Sequence, residues 1–219
     1  MKKRILALLL VLCLTAGMMP VVSAETIASG TCGENVTWVL TDDGTLTISG
    51  EGAMADYAGV RRDWPPYNDY YNLIDTVNIE YGITYIGKCA FDGVCNLSSC
   101  SYLTSVTIPN SVTTIGRAAF YYCKKLTTVT IPDSVTFIDG FAFGDCDGLT
   151  SVMIPDSVTF IGEGVFSSCD SLTGIWVDSN NPSYSNDESG VLFNKSQTEL
   201  TQVPCTISGS YVVPDSCGS

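Results

Sequence analysis

The chain has no histidine. That removes imidazole acid–base catalysis, serine or cysteine nucleophiles paired with histidine, and zinc sites built on it. It has no glycine-rich phosphate loop, so no motif to cradle a nucleotide. Charged residues make up only 15% of the chain, and positive ones are scarcest, with 10 Lys and Arg against 23 Asp and Glu. The net charge of -13 disfavours nucleic acid and anionic membranes as partners. No carboxylate pair recurs either. Asp145 and Asp147 flank Cys146, but Tyr122 and Lys124, then Ser168 and Asp170, hold the matching places. No catalytic residue, cofactor or metal site is expected, and the chain is read as a non-enzyme.

What is abundant is a repeat. From Leu103 the sequence aligns with itself in lines of 23: LTSVTIPNSVTTIGRAAFYYCKK, LTTVTIPDSVTFIDGFAFGDCDG, LTSVMIPDSVTFIGEGVFSSCDS, LTGIWV. Leu103, Leu126, Leu149 and Leu172 share one phase; Phe120, Phe143 and Phe166 share another. A fixed period in this range marks a solenoid whose units cannot bury their apolar face alone and must stack. In each line LTTVTI alternates as a half-buried strand does. Pro132 removes a donor and ends that strand. Ser134–Ile138 forms a second extended piece, and Gly140–Phe143 a tight helical or 3₁₀ turn. The expected fold is an α/β-type solenoid, mostly β.

An earlier, degenerate repeat places Val77, Ile79, Ile83, Ile86 and Phe91 in phase with Val106, Ile108, Val112, Ile115 and Phe120 at a spacing of 29. Its six extra residues fall in DGVCNLSSC, a loop insertion after Phe91. The repeats thus occupy 74–177.

Residues 1–24 read as a secretory signal peptide: Lys2-Lys3-Arg4, an apolar run Ile5–Leu14, then small residues before Glu25. Its removal leaves seven basic residues and a net charge of -16. Residues 25–73 form an N-terminal hairpin and capping module. Trp38, Leu40, Leu46 and Ile48 alternate around Asp42-Asp43-Gly44, read as turn chemistry rather than a calcium loop. The aromatic run Tyr57, Trp64, Tyr67, Tyr70, Tyr71 is read chiefly as cap packing, with a sugar-binding platform as the other reading. Residues 178–208 form an inserted hairpin, whose Asp178, Asp187 and Glu188 lack calcium-loop spacing. At 209–219 Tyr211-Val212-Val213-Pro214 restarts a truncated repeat, leaving an edge for further repeats or a partner.

Ten cysteines first suggest disulfides. Cys100, Cys123, Cys146 and Cys169, however, each precede a core leucine by three residues and should form an inward ladder of free thiols. Parallel ladder side chains do not converge as a bridge requires. Cys89 and Cys95 flank the insertion, and pairing with each other or with Cys32 stays open.

The pattern L-x-x-V-x-I-P-x-S-V-x-x-I-x-x-x-A/V-F-x-x-C resembles the BspA-type leucine-rich repeat of bacterial surface proteins, over about Ser29–Ser216. The resemblance implies a right-handed solenoid with a parallel sheet on one face. It also implies a secreted or cell-surface protein, often an adhesin or a binder of host proteins. The outward column Asn78, Thr107, Thr130, Met153, Trp176 grows more apolar toward its C-terminal end, and an exposed Trp is a typical interface anchor. A protein-binding patch centred on Met153 and Trp176 is expected, unless the inserted hairpin covers it. The partner would be an extracellular or host protein. The rival reading is a structural spacer in a larger surface protein or enzyme.

Overall fold

The computed structural model describes residues 23–58, 63–92, 102–208, 210–214 and 216–217. Residues 1–22 of the leader, the insertion after Asp92 and the cysteines Cys95 and Cys100 lie outside the described residues.

Each coil contributes two extended segments and a turn. The first segments are β3 (Thr45–Gly50), β5 (Thr76–Ile79), β7 (Ser105–Thr107), β10 (Ser151–Ile154) and β12 (Gly174–Val177). The second are β4 (Gly52–Ala53), β6 (Ile83–Ile86), β8 (Thr114–Ile115), β9 (Phe137–Ile138) and β11 (Phe160–Ile161). The second segments pair in one parallel ladder, β4-β6-β8-β9-β11. The first segments pair in two blocks: β3-β5-β7, extended N-terminally by β1 (Thr26–Thr31) and β2 (Val36–Thr41), and β10-β12.

Between those blocks the expected strand at Leu126–Ile131 joins no sheet. It keeps its alternation nonetheless: Leu126, Val129 and Ile131 are buried while Thr128 and Thr130 face out. Here side-chain packing, not a complete ladder, sets the register.

The turn at Gly140–Phe143 is neither helical nor 3₁₀. It is held by bonds between coils. The N–H groups of Ala118, Phe120 and Tyr122 donate to the carbonyls of Gly140, Ala142 and Gly144, and those of Phe141, Phe143 and Asp145 donate to Glu163, Val165 and Ser167. These bonds need left-handed backbone at recurring places. Ala118, Phe141 and Gly164 share one phase, and Tyr122, Asp145 and Ser168 another, all with φ between 53° and 66°. Each non-glycine there costs on the order of 1 kcal/mol, offset by the bonds it permits.

Inside, the rings stack in one column. Tyr67, Phe91, Phe120, Phe143 and Phe166 follow one another at centroid spacings of 5.8, 5.1, 5.3 and 5.8 Å. The thiols form a second column: Cys123, Cys146 and Cys169 are fully buried and hold no disulfide. They are more than small apolar groups. Each S–H donates to a phenylalanine carbonyl of the preceding coil, on Phe91, Phe120 and Phe143, at 3.3, 3.2 and 3.1 Å. Burial pushes the Cys169 thiol up to about 12 and that of Cys146 well above its usual value, so neither ionises at neutral pH. Cys32 and Cys89 are free thiols and do not bridge each other. Ser111, Ser134 and Ser157 form a polar counterpart, each hydroxyl donating to a carbonyl of the coil before, on Ile83, Val112 and Val135.

The N-terminal module holds more than a hairpin. β3 pairs in parallel with β5, and β4 with β6. Residues 45–57 are therefore already a coil, with Leu46, Ile48, Met54 and Tyr57 on its inner side. The aromatic run packs inward at its key members: Tyr57 and Tyr67 are buried, and the Tyr67 hydroxyl donates to the Ala90 carbonyl at 2.9 Å.

Candidate functional site

The outward column of the first segments is the candidate site. Met153 and Trp176 are directly opposite each other across the parallel β10–β12 pair. They are 56% and 38% exposed, against near-complete burial of their strand neighbours Val152 and Ile175. Strand alternation places the one pair outward and the other in the core. Thr107 and Thr130 are exposed, and Asn78, half-buried, is opposite Thr107 across β5–β7. The row runs further than the repeat phase indicated, because Thr47 of β3 is opposite Asn78. The hidden coil at 45–57 lacks the proline and cysteine marks of the later repeats, so only pairing reveals it.

Trp176 has a prepared seat. A Cβ on Gly174, two residues earlier on the same face, would come within 2.9 Å of the indole ring. Gly174 thus lets the ring lie flat along its own strand.

The 178–208 segment sits at the edge of the coil rather than across its face. It contains β13 (Tyr184–Asn186), β14 (Leu192–Asn194) and β15 (Leu200–Gln202), an antiparallel sheet. Its groups take up donors that another coil would otherwise meet. The Ile175 N–H donates to the Gly190 carbonyl, the Val177 N–H to Asn186 Oδ1, and the Ile161 N–H to the Tyr184 hydroxyl oxygen, at 2.9, 2.8 and 2.8 Å. Asn181, fully buried, fixes the segment with four bonds. Its amide donates to the Pro155 and Val158 carbonyls, and its oxygen accepts from the Ser183 and Tyr184 N–H groups. Among the described residues of the restart, Tyr211–Pro214 forms no strand; the Tyr211 hydroxyl donates to Asp187 at 2.6 Å.

A second outward feature escaped the sequence reading. Phe137 and Phe160 stack at 4.3 Å on the outer side of β9 and β11, with Phe160 43% exposed. The signal was present as the recurring Thr-Phe-Ile triplet. The chemistry of the Asn78–Trp176 row is uncharged: hydroxyls, a thioether and an indole, suited to shape and apolar contact rather than reaction. Among the described residues, no group of three or more Cys, Asp or Glu is placed to hold a metal ion. No described helix is long and apolar enough to cross a membrane.

Comparison with known proteins agrees with this architecture. The structure is similar to a leucine-rich repeat protein from Eubacterium ventriosum, with 31% identity and a TM-score of 0.69, covering 87% of this chain and 55% of that one. It is also similar to the pneumococcal vaccine antigen PcpA, at 20% identity and a TM-score of 0.57, covering 89% of this chain and 60% of that one. At 20% identity that likeness concerns the fold alone. The chain thus spans less than two thirds of either structure. No curated protein matches the sequence. The model of the BspA type leucine rich repeat region matches residues 97–208 in six copies, and the chain belongs to that family.

Proposed function

We propose that the chain is a secreted or cell-surface module that binds an extracellular or host protein through the row Asn78, Thr107, Thr130, Met153, Trp176. The observation that carries this reading is the in-register pair Met153 and Trp176, exposed on a sheet face while the inserted segment occupies the neighbouring edge. A flat indole beside a flexible thioether, continued by threonine hydroxyls, matches the apolar centre and polar rim of a protein interface. A right-handed coil, an N-terminal cap and export through residues 1–24 belong to the same reading, as does the assignment of a binder rather than an enzyme. The family membership supports it, and adhesion is the biological use it suggests.

Trp176→Ala tests it. The indole is on the surface, so the expected result is loss of partner capture from host matrix proteins, about tenfold or more, with melting unchanged. Lost stability with binding unchanged would sink the reading.

A further inference from the structure

A different side of the coil carries a second constellation. Four of the seven basic residues beyond the leader fall between Lys88 and Lys125, in a chain otherwise dominated by carboxylates. On the turn side three of them lie on aromatic rings. Arg117 stands 4.9 Å over Phe141, Lys124 lies 4.4 Å over Tyr122, and Lys125 lies 4.7 Å over Tyr102. Phe141, Tyr121 and Tyr122 are contiguous, at centroid distances of 6.4 and 6.3 Å.

These side chains have built seats. A Cβ on Gly140 would come within 2.9 Å of an Arg117 guanidinium nitrogen. One on Gly144 would come within 3.0 Å of the Tyr121 ring, and one on Gly164 within 2.7 Å of the Phe141 ring. Three glycines therefore let one guanidinium and two rings lie across coil boundaries. Together with Asp92 and Ala118, Arg117, Tyr121 and Phe141 line a depression of about 310 Å³, within the range of small-ligand sites.

The cations differ in what they have left to offer. Lys124 is neutralised by Asp147 at 2.8 Å, whereas among the described residues no carboxylate pairs with Arg117, which is exposed. The backbone offers little. The N–H groups of Ala118, Phe120 and Tyr122 are spent on the next coil, so a peptide strand could not add here through its main chain. What remains is a planar cation seated on the Phe141 ring, with the Tyr121 ring beside it. Aromatic rings pack on the C–H face of a sugar, and a guanidinium takes a carboxylate in two parallel bonds.

We propose that this depression binds an acidic saccharide, with a uronic acid ring against Phe141 and Tyr121 and its carboxylate on Arg117. The site is separate from the Met153–Trp176 row and independent of the protein-binding reading. At physiological salt, charges beyond roughly 8 Å are screened, so the carboxylates that act on a ligand here are the near ones, Asp92 on the rim and Asp145 beside Tyr121, and the acid reaches the site on the Arg117 side.

The test is calorimetric titration of the whole chain with tetragalacturonate and with a hyaluronan tetrasaccharide, each beside its neutral methyl ester. At least one acid should bind, its ester at least tenfold more weakly. Arg117→Gln should bring the acid down to the level of the ester without moving the melting temperature. Phe141→Leu should weaken acid and ester alike, and Trp176→Ala should change neither. Absence of binding by both acids at millimolar concentration would overturn the proposal. So would equal binding of acid and ester, or an Arg117→Gln chain that binds as before. A tetraglutamate peptide bound as tightly as the saccharide would overturn the assignment to carbohydrate.

Discussion

The two ends of the described array are finished by different means. At the N-terminal end β1, β2 and β3 continue the sheet with backbone bonds: antiparallel between the hairpin strands, parallel from β3 to β5. At the other end the partners are largely side chains, with Asn186 receiving the Val177 N–H, Tyr184 the Ile161 N–H, and Asn181 holding the segment in place. Backbone pairing tolerates almost any residue of the right polarity pattern. A side-chain acceptor exists only while that residue does. The first end should be robust to point substitution and the second should not.

Asn181→Ala is the sharpest way to expose the difference. It removes the amide partner of the buried Val158 carbonyl and of the part-buried Ser183 and Tyr184 N–H groups, while the Pro155 carbonyl keeps only the Val158 N–H. At about 1–3 kcal/mol for each unsatisfied group, the expected loss is about 3 kcal/mol or more. Chemical denaturation should show it, and a loss near zero would remove Asn181 as the anchor.

Alkali acts at both ends at once. Burial lifts the Cys32 thiol from 9.0 to about 12, and that of Cys169 likewise. Between those limits the unfolded chain ionises its thiols while the folded one keeps them protonated, so the fold holds more protons. Stability from these groups is present in full below about pH 9 and is lost as the pH climbs toward 12. Melting followed from pH 7 to 11 should be flat, then fall. Cys32→Ala and Cys169→Ala should each make the fall shallower, and a slope unchanged by either would exclude the thiols as its source.

Tyr184→Phe keeps the ring and removes the acceptor of the Ile161 N–H at the edge of the second ladder. A loss of about 1–2 kcal/mol is expected in the same denaturation assay. The N-terminal counterpart is Thr37→Ala, which removes an exposed hydroxyl contact to Ser49 and leaves the β2–β3 pairing intact. It should cost no more than about 0.5 kcal/mol. A large effect at Thr37 would erase the contrast between the ends.

Legibility in the sequence follows the same division. The phases of Phe120, Phe143 and Phe166, of the leucines and of the cysteines could be read because repetition writes each side chain's environment several times over. The outward row from Asn78 to Trp176 was legible for the same reason. Coil 45–57 was not, because its second strand is only Gly52–Ala53 and its inner residues Met54 and Tyr57 depart from the repeat. The loss of pairing at Leu126–Ile131 was also invisible, since its residues are those of a strand and only the ladder shows that they join none. The role of the cysteines was half legible: phase predicts burial, but the S–H bond to a phenylalanine carbonyl depends on geometry between coils. The edge role of 178–208 was hidden because Asn181, Tyr184 and Asn186 occur once each and have no phase to betray them. The Arg117 depression was hidden too, since it joins residues of neighbouring coils at positions where the repeat varies.

The turn-side bonds also give the array an arrow. In each described turn the N–H groups point to the coil that follows, and the carbonyls of Arg117 and Ala119 receive from the one before, at Cys89 and Phe91. In the turn at Gly164–Ser168 the matching donors, Gly164, Phe166 and Ser168, meet no backbone acceptor among the described residues. Every finished coil thus hands its successor a ready row of donors, so the stack can be laid down in the order in which a ribosome delivers it, each layer serving as the mould for the next.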